Sequence, residues 1–180
     1  MSPLKQQAEK DKYRFYEKFI PKEMLFALLD DRVRSIEEVQ VGTAIKKEMT
    51  IFFSDIRSFS AISEKLPPEK IFKYLSMYFR NISPIIREHN GVIDKYIGDA
   101  VLALFPFTPE DAIRASIQIA KKLAILNKRL KKIQYPEIQI GIGVHTGDVM
   151  LGMLGENKKV DVTVISDAVN LASRLENLNK

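Results

Sequence analysis

Apolar positions along the chain change their period several times, and each change marks an element. Met49–Ile56 is a compact apolar run of strand length. From Pro68 to Asn90 the residues Ile71, Leu75, Tyr78, Phe79, Ile82 and Ile86 recur at helical spacing, with Pro84 predicting a bend and Gly91 closing the helix. Val92–Ile97 and Ala100–Phe105 read as two strands with only Gly98 and Asp99 between them, a tight hairpin. Pro109–Lys132 reads as an amphipathic helix. Ile138, Ile140, Ile142 and Val144 then alternate with Gln139, Gly141, Gly143 and His145, a period-2 strand. Val149–Leu154 is expected to fold back on it after a turn at Gly147-Asp148, and Ser166–Leu178 forms a last helix. The order β-α-β-β-α-β, with a further strand and helix, predicts an α+β domain: a ferredoxin-like sheet with helices on one face. The other face needs a cover, and a second copy of the chain is a candidate.

Residues 1–46 have a different pattern and are expected to form a helical arm ahead of a domain spanning 47–180. Leu4–Phe19 is polar and helix-prone, Pro21 breaks it, and a second run puts Met24, Leu25, Leu28 and Leu29 on one face. The chain has 28 basic and 23 acidic residues, a net charge of +5. Six of the cations fall between Lys121 and Lys132 with no acid among them, at a helix C-terminus where they complement the dipole. Without interleaved aromatics or a recognisable module, that cluster does not argue for nucleic acid as a partner. Cysteine is absent, which excludes thiol catalysis, disulfides and zinc-thiolate sites. No apolar run is long enough to span a bilayer and the N-terminus lacks a secretory core, so the expectation is a cytoplasmic protein that meets a membrane, if at all, only through an unseen upstream domain.

Gly141-Ile142-Gly143-Val144-His145-Thr146-Gly147 imitates a dinucleotide-binding fingerprint, but its glycine spacing is wrong and it lies within a strand. His145 has no acid or nucleophile beside it. Asp55 and Asp99 carry more weight. Asp55 ends a buried strand and Asp99 sits in the hairpin turn, so the two carboxylates could converge and hold Mg²⁺. Taken singly, Asp55 could instead cap the next helix and Asp99 could be a plain turn residue. Ile56-Arg57-Ser58-Phe59-Ser60 turns into a helix, where backbone N–H groups, those of Phe59 and Ser60 included, could hold phosphate oxygens. Asn170 and Arg174 are four apart on one helix face, an amide and a guanidinium suited to a sugar oxygen and a phosphate, or to plain solvent exposure. Ala168, Leu171, Ala172 and Leu175 are the expected buried stripe of that helix.

Four ordered blocks, Phe53–Ser60, Gly91–Ala100, Gly141–Gly147 and Val164–Glu176, resemble the catalytic domain of class III nucleotidyl cyclases over about residues 48–180. The resemblance implies that Asp55 and Asp99, with the Ile56 carbonyl, hold two Mg²⁺ or Mn²⁺ ions. It further implies that Lys95 and Thr163 read the purine, that Asn170 orients the ribose and that Arg174 stabilises charge at the α-phosphate. It implies a homodimer whose sites are shared between two chains. Lys95 only donates, which suits the bare N1 of adenine and opposes the N1–H of guanine; the expected reaction is therefore ATP to 3′,5′-cyclic AMP and pyrophosphate. A guanylate cyclase and a non-catalytic dimerising module are the alternatives. Ser58 and Ser60 stand where the family more often has Gly and Thr. The family also continues past the last helix into strands bearing a phosphate-binding lysine, so the sequence ending at Lys180 is expected to be C-terminally truncated.

Overall fold

The computed structural model describes residues 21–29, 35–156 and 158–178; the helix expected over Leu4–Phe19 lies outside them. In chain order the elements are α1 (Lys22–Ala27), a 3₁₀ turn (Ile36–Glu38), β1 (Ala44–Ile56), α2 (Phe59–Ser63), α3 (Pro68–Glu88), β2 (Val92–Ile97), β3 (Ala100–Phe105), α4 (Pro109–Lys132), β4 (Ile140–Glu156), β5 (Lys159–Ile165) and α5 (Asp167–Asn177). Hydrogen-bonded strands follow the order β2-β3-β1-β4-β5. The first four are ordered as a βαββαβ ferredoxin-like sheet requires, with β1/β3 and β2/β3 antiparallel. The chain divides into two compact units, one of Lys47–Val149 with Ser166–Lys180, the other of Met1–Lys46 with Met150–Ile165.

In the larger unit, alternation along the strands sends Phe52 and Ile56 of β1, Ile93 of β2, and Val101, Ala103 and Phe105 of β3 into one buried cluster. There they meet Tyr74, Tyr78, Ile82 and Ile86 of α3 and Ala112, Ala115, Ile119, Leu123, Leu126 and Leu130 of α4. Ile140, Ile142 and Val144 of β4 pack against the same cluster. The two crossover helices thus cover one face, as expected. Helix α3 runs unbroken through Pro84, which lies on its exposed side. It closes with Asn90, not Gly91, in the left-handed conformation (φ 61°). Asn90 N–H then bonds the Arg87 carbonyl and Gly91 N–H the Ile86 carbonyl, a Schellman closure. Gly91 is needed for space, because a Cβ there would stand 2.6 Å from Ile86 Cγ2 and 2.7 Å from the Phe105 ring.

The expected hairpin at Gly147-Asp148 does not form. β4 is one continuous strand, and its partner is β5, which the periodicity had not marked out. Three glycines of β4 answer to α5. Ile142 and Val144 face the α3/α4 cluster, so Gly141, Gly143 and Gly147 face the other way, where α5 lies against them. A Cβ on Gly143 would overlap the Ala172 carbonyl, and one on Gly147 would stand 3.1 Å from Ala168 Cβ. Ser166 caps α5 by accepting from Ala168 N–H at 2.9 Å and donates its hydroxyl proton to the Asp148 carbonyl. The buried stripe of α5 is Ala168, Ala172 and Glu176; Leu171, expected inside, is 40% exposed. Met49, Ile51, Leu102 and Leu104, on the sheet face away from α3 and α4, are also buried.

In the smaller unit β4 and β5 pair from Met150↔Ile165 to Glu156↔Lys159. β1 begins at Ala44, so the end of the expected arm is strand, and just before it Gly42 and Thr43 exchange backbone bonds with Met153. Met24 and Leu28, at the expected helical positions, are buried, as are Ile45, Leu151, Val162 and Val164. No helix among the described residues is long and apolar enough to cross a membrane.

Candidate active site

Phe52 and Ile56 point into the core, and between them Ser54 shares a buried 3.2 Å hydrogen bond with the Tyr78 hydroxyl. Alternation therefore turns Asp55 to the opposite face, at the end of β1. Gly98 takes a positive φ of 64° in the β2–β3 turn. That turn brings Asp99 back to β1, where its Oδ2 accepts the Ile56 N–H at 3.1 Å. The two carboxyls lie within hydrogen-bonding reach of each other. Burial, then the hydrogen bond and charge of Asp55, push Asp99 up to about 7, although its own N–H and that of Ile56 pull the other way. Beneath them, burial raises the Tyr78 hydroxyl well above its ordinary range, and the charges of Asp55, Asp99 and Glu176 add to it. Burial and the charge of Asp99 push Tyr74 up to about 12.

Among the described residues no group of three His, Cys, Asp or Glu side chains forms a metal cage. The donor set nevertheless fits a hard divalent cation. Glu176 is paired with Arg57, which leaves Asp55 and Asp99 as two adjacent carboxyl groups beside a backbone turn. Mg²⁺ takes few protein oxygens and fills its shell with water and phosphate.

Arg57 leaves β1 with its N–H on the Gln139 carbonyl. Ser58 follows at φ 54°, ψ 30°, the left-handed region, which explains why glycine is the commoner residue in the resembled motif. A Cβ there costs about 1–2 kcal/mol, part of which glycine forfeits through unfolded-chain entropy. Ser58→Gly is therefore expected to leave the melting temperature unchanged or raise it by a few degrees; a clear drop would contradict the strain. Phe59 packs against the core cluster, and Ser60, exposed in the first turn of α2, accepts from the Ser63 hydroxyl at 2.8 Å.

Of the other candidates, Lys95 stands opposite Leu102, itself opposite Phe53, which puts Lys95 on the face that bears Asp55. Its Nζ is 3.9 Å from Oδ2 of Asp94, which occupies a register shift of β2 and whose side chain is buried, while the Lys95 side chain is 32% exposed. Asn170 and Arg174 are both exposed on α5. Thr163 lies in β5 of the smaller unit, opposite Gly152, and is half-buried. The structure thus joins Asp55, Asp99 and Ile56 by direct contact and places Lys95 on their sheet face. Sequence reasoning missed the Arg57–Glu176 pair and the Tyr78 hydroxyl beneath the carboxylates; Glu176 stood out only as an acid on the helix after Arg174.

A profile of the family described as the adenylate and guanylate cyclase catalytic domain matches residues 41–180. The chain belongs to this cyclase family. Over 170 residues it is 39% identical to an adenylate cyclase of Anabaena cylindrica, covering 92% of this chain and 33% of that one. An adenylate cyclase of Rhizobium meliloti is 32% identical over 170 residues, 90% of this chain and 24% of that one. The chain thus spans a third or less of these relatives. Among solved structures, a bacterial light-regulated adenylyl cyclase superposes with a TM-score of 0.83 at 33% identity, covering 97% of this chain and 50% of that one. The guanylyl cyclase Cya2 gives 0.70 at 32% identity, covering 75% and 72%.

Proposed function

We propose that this cyclase-family chain converts ATP to 3′,5′-cyclic AMP and pyrophosphate, and that two copies complete its sites. The observation that carries the reading is the convergence of Asp55 and Asp99 at the Ile56 turn. Asp55, Asp99 and the Ile56 carbonyl would hold two Mg²⁺ or Mn²⁺ ions. Bound there, the ions supply positive charge that favours ionisation of the substrate 3′-hydroxyl and steadies the departing pyrophosphate. Attack of O3′ on the α-phosphorus forms the cyclic ester as the bond to the β-phosphate oxygen breaks.

The remaining roles follow from what each side chain can donate or accept. Lys95 donates to N1 of adenine, and Thr163 accepts from its exocyclic amine. Asn170 orients the ribose. Arg174 meets the charge that grows on the α-phosphate oxygens, where losing one such donor costs about 2.7–4 kcal/mol of barrier. Asn170 and Arg174 are turned to solvent on α5, which suits residues that complete the site of a second copy. Phe59 and Ser60 lie where backbone N–H groups would meet phosphate oxygens.

The test is cyclic nucleotide formation from ATP and from GTP with Mn²⁺, beside an Asp55→Ala control. Cyclic AMP from the parent and none from the control is expected; a parent chain that makes no cyclic nucleotide refutes the reading. Lys95→Glu is expected to shift the ATP:GTP ratio toward GTP by about tenfold or more, because a carboxylate accepts from the guanine N1–H and meets the bare N1 of adenine with no proton to donate. An unchanged ratio removes Lys95 from base recognition.

A further inference from the structure

Glu176 is an acid in the last turn of α5 and is 1% exposed. A negative charge opposes the helix dipole there, and burial without a partner is prohibitive. Arg57 answers both problems. Its Nη1 donates to Glu176 Oε1 at 2.6 Å and its Nη2 to the Glu176 backbone carbonyl at 2.9 Å. One planar guanidinium thus pairs the charge and caps the helix end.

The bridge spans 119 residues of sequence, and its two ends matter. Arg57 directly follows Ile56, whose N–H is fixed by Asp99 Oδ2. Glu176 lies two residues beyond Arg174 and six beyond Asn170 on α5. β4 is shaped to admit the bridge, because a Cβ on Gly141 would overlap both the Arg57 guanidinium and the Glu176 carboxylate. A buried ion pair is a poor device for stability, since apolar residues of similar volume do as well or better. What it supplies is a fixed separation and orientation.

We infer that Arg57 and Glu176 are positioning residues that lock the carboxylate-bearing turn of β1 to the end of α5, and so set the geometry in which the turn binds divalent metal. The inference rests on the reading of Asp55 and Asp99 as metal ligands. In this role neither residue is a metal ligand or a substrate contact; they act through the backbone of Ile56 and through α5.

The test uses the full chain, Arg57→Lys, Glu176→Gln and the apolar pair Arg57→Met with Glu176→Leu. Mn²⁺ affinity is read from the paramagnetic signal of free Mn²⁺ without nucleotide, alongside melting temperature and kcat and KM for ATP. Lysine keeps the charge but not the fork that reaches both oxygens. All three variants are expected to lose on the order of tenfold or more in Mn²⁺ affinity and in kcat, with KM unchanged. The apolar pair is expected to keep the parent's melting temperature. If the apolar pair fails to fold, Arg57→Lys decides alone. Variants that melt lower yet bind Mn²⁺ as the parent does, or that keep both affinity and kcat, overturn the inference and leave the metal reading intact. A parent that binds no Mn²⁺ in a manner abolished by Asp55→Ala overturns both.

Discussion

Asp55→Asn and Asp99→Asn are each expected to reduce cyclic nucleotide formation by about three orders of magnitude, while Asp99→Asn makes the metal-free protein more stable. The activity loss follows from removing one of only two carboxylates at the turn. Several kcal/mol of charge stabilisation vanish with it, and about 4 kcal/mol corresponds to a thousandfold. The stability gain follows from the proton. Folding raises Asp99 from an ordinary 3.8 to about 7, so between those values the native state binds more protons than the unfolded chain. Stability must fall as pH rises through that window and stay low above it. Asparagine keeps an oxygen for the Ile56 N–H and has nothing to ionise. In chelator, Asp99→Asn should match the parent near pH 4 and melt above it at pH 8. Mn²⁺ should raise the melting temperature of the parent at pH 8 and leave the variant unmoved. A variant with parental activity, or a melting difference that ignores pH, would contradict the site.

Gly143→Ala is expected to be the most damaging single methyl group in the larger unit. Its Cβ would overlap the Ala172 carbonyl oxygen and lie 2.5 Å from the Glu176 nitrogen. Both are helix backbone, which no rotamer change can move aside. Overpacking of this kind costs about 3 kcal/mol, or a melting drop of about 6–12 °C. The displaced α5 would carry Asn170 and Arg174 with it, so kcat should fall as well. Gly141→Ala meets side-chain atoms instead and should cost less, and Gly147→Ala, with 3.1 Å to Ala168 Cβ, least. Thermal melts of the three variants check the order, and equal melting of Gly143→Ala and the parent would refute the close helix–strand packing.

The carboxylate site was legible because its parts are local. A strand ending in Asp55 and a two-residue turn holding Asp99 are written in adjacent residues, and β2, β3 and α4 have the bounds their periodicity predicts. β4 was misread because Gly147-Asp148 is turn chemistry by composition, whereas the glycine is there to admit a helix whose packing no local window reveals. β5 escapes the pattern for the same reason: Val160, Val162 and Val164 alternate with Asp161 and Thr163, but a turn at Gly147-Asp148 would leave that segment without a free strand edge to pair with. Leu171, expected inside, lies exposed while Glu176 is buried, because a helix lying on bare glycine backbone buries small and paired groups rather than large apolar ones. The partner that makes Glu176 tolerable lies 119 residues away.

Against a glycine-stripped strand, α5 buries only Ala168 and Ala172 as apolar anchors, whereas α3 sinks Tyr74, Tyr78, Ile82, Ile85 and Ile86. Its hold on the sheet is accordingly a matter of two end fastenings, at Ser166 and at Glu176, rather than of a greasy seam. Amide protons along α5 should exchange with solvent deuterium sooner than those of α3, so the segment bearing Asn170 and Arg174 would be the first to loosen and the last to set.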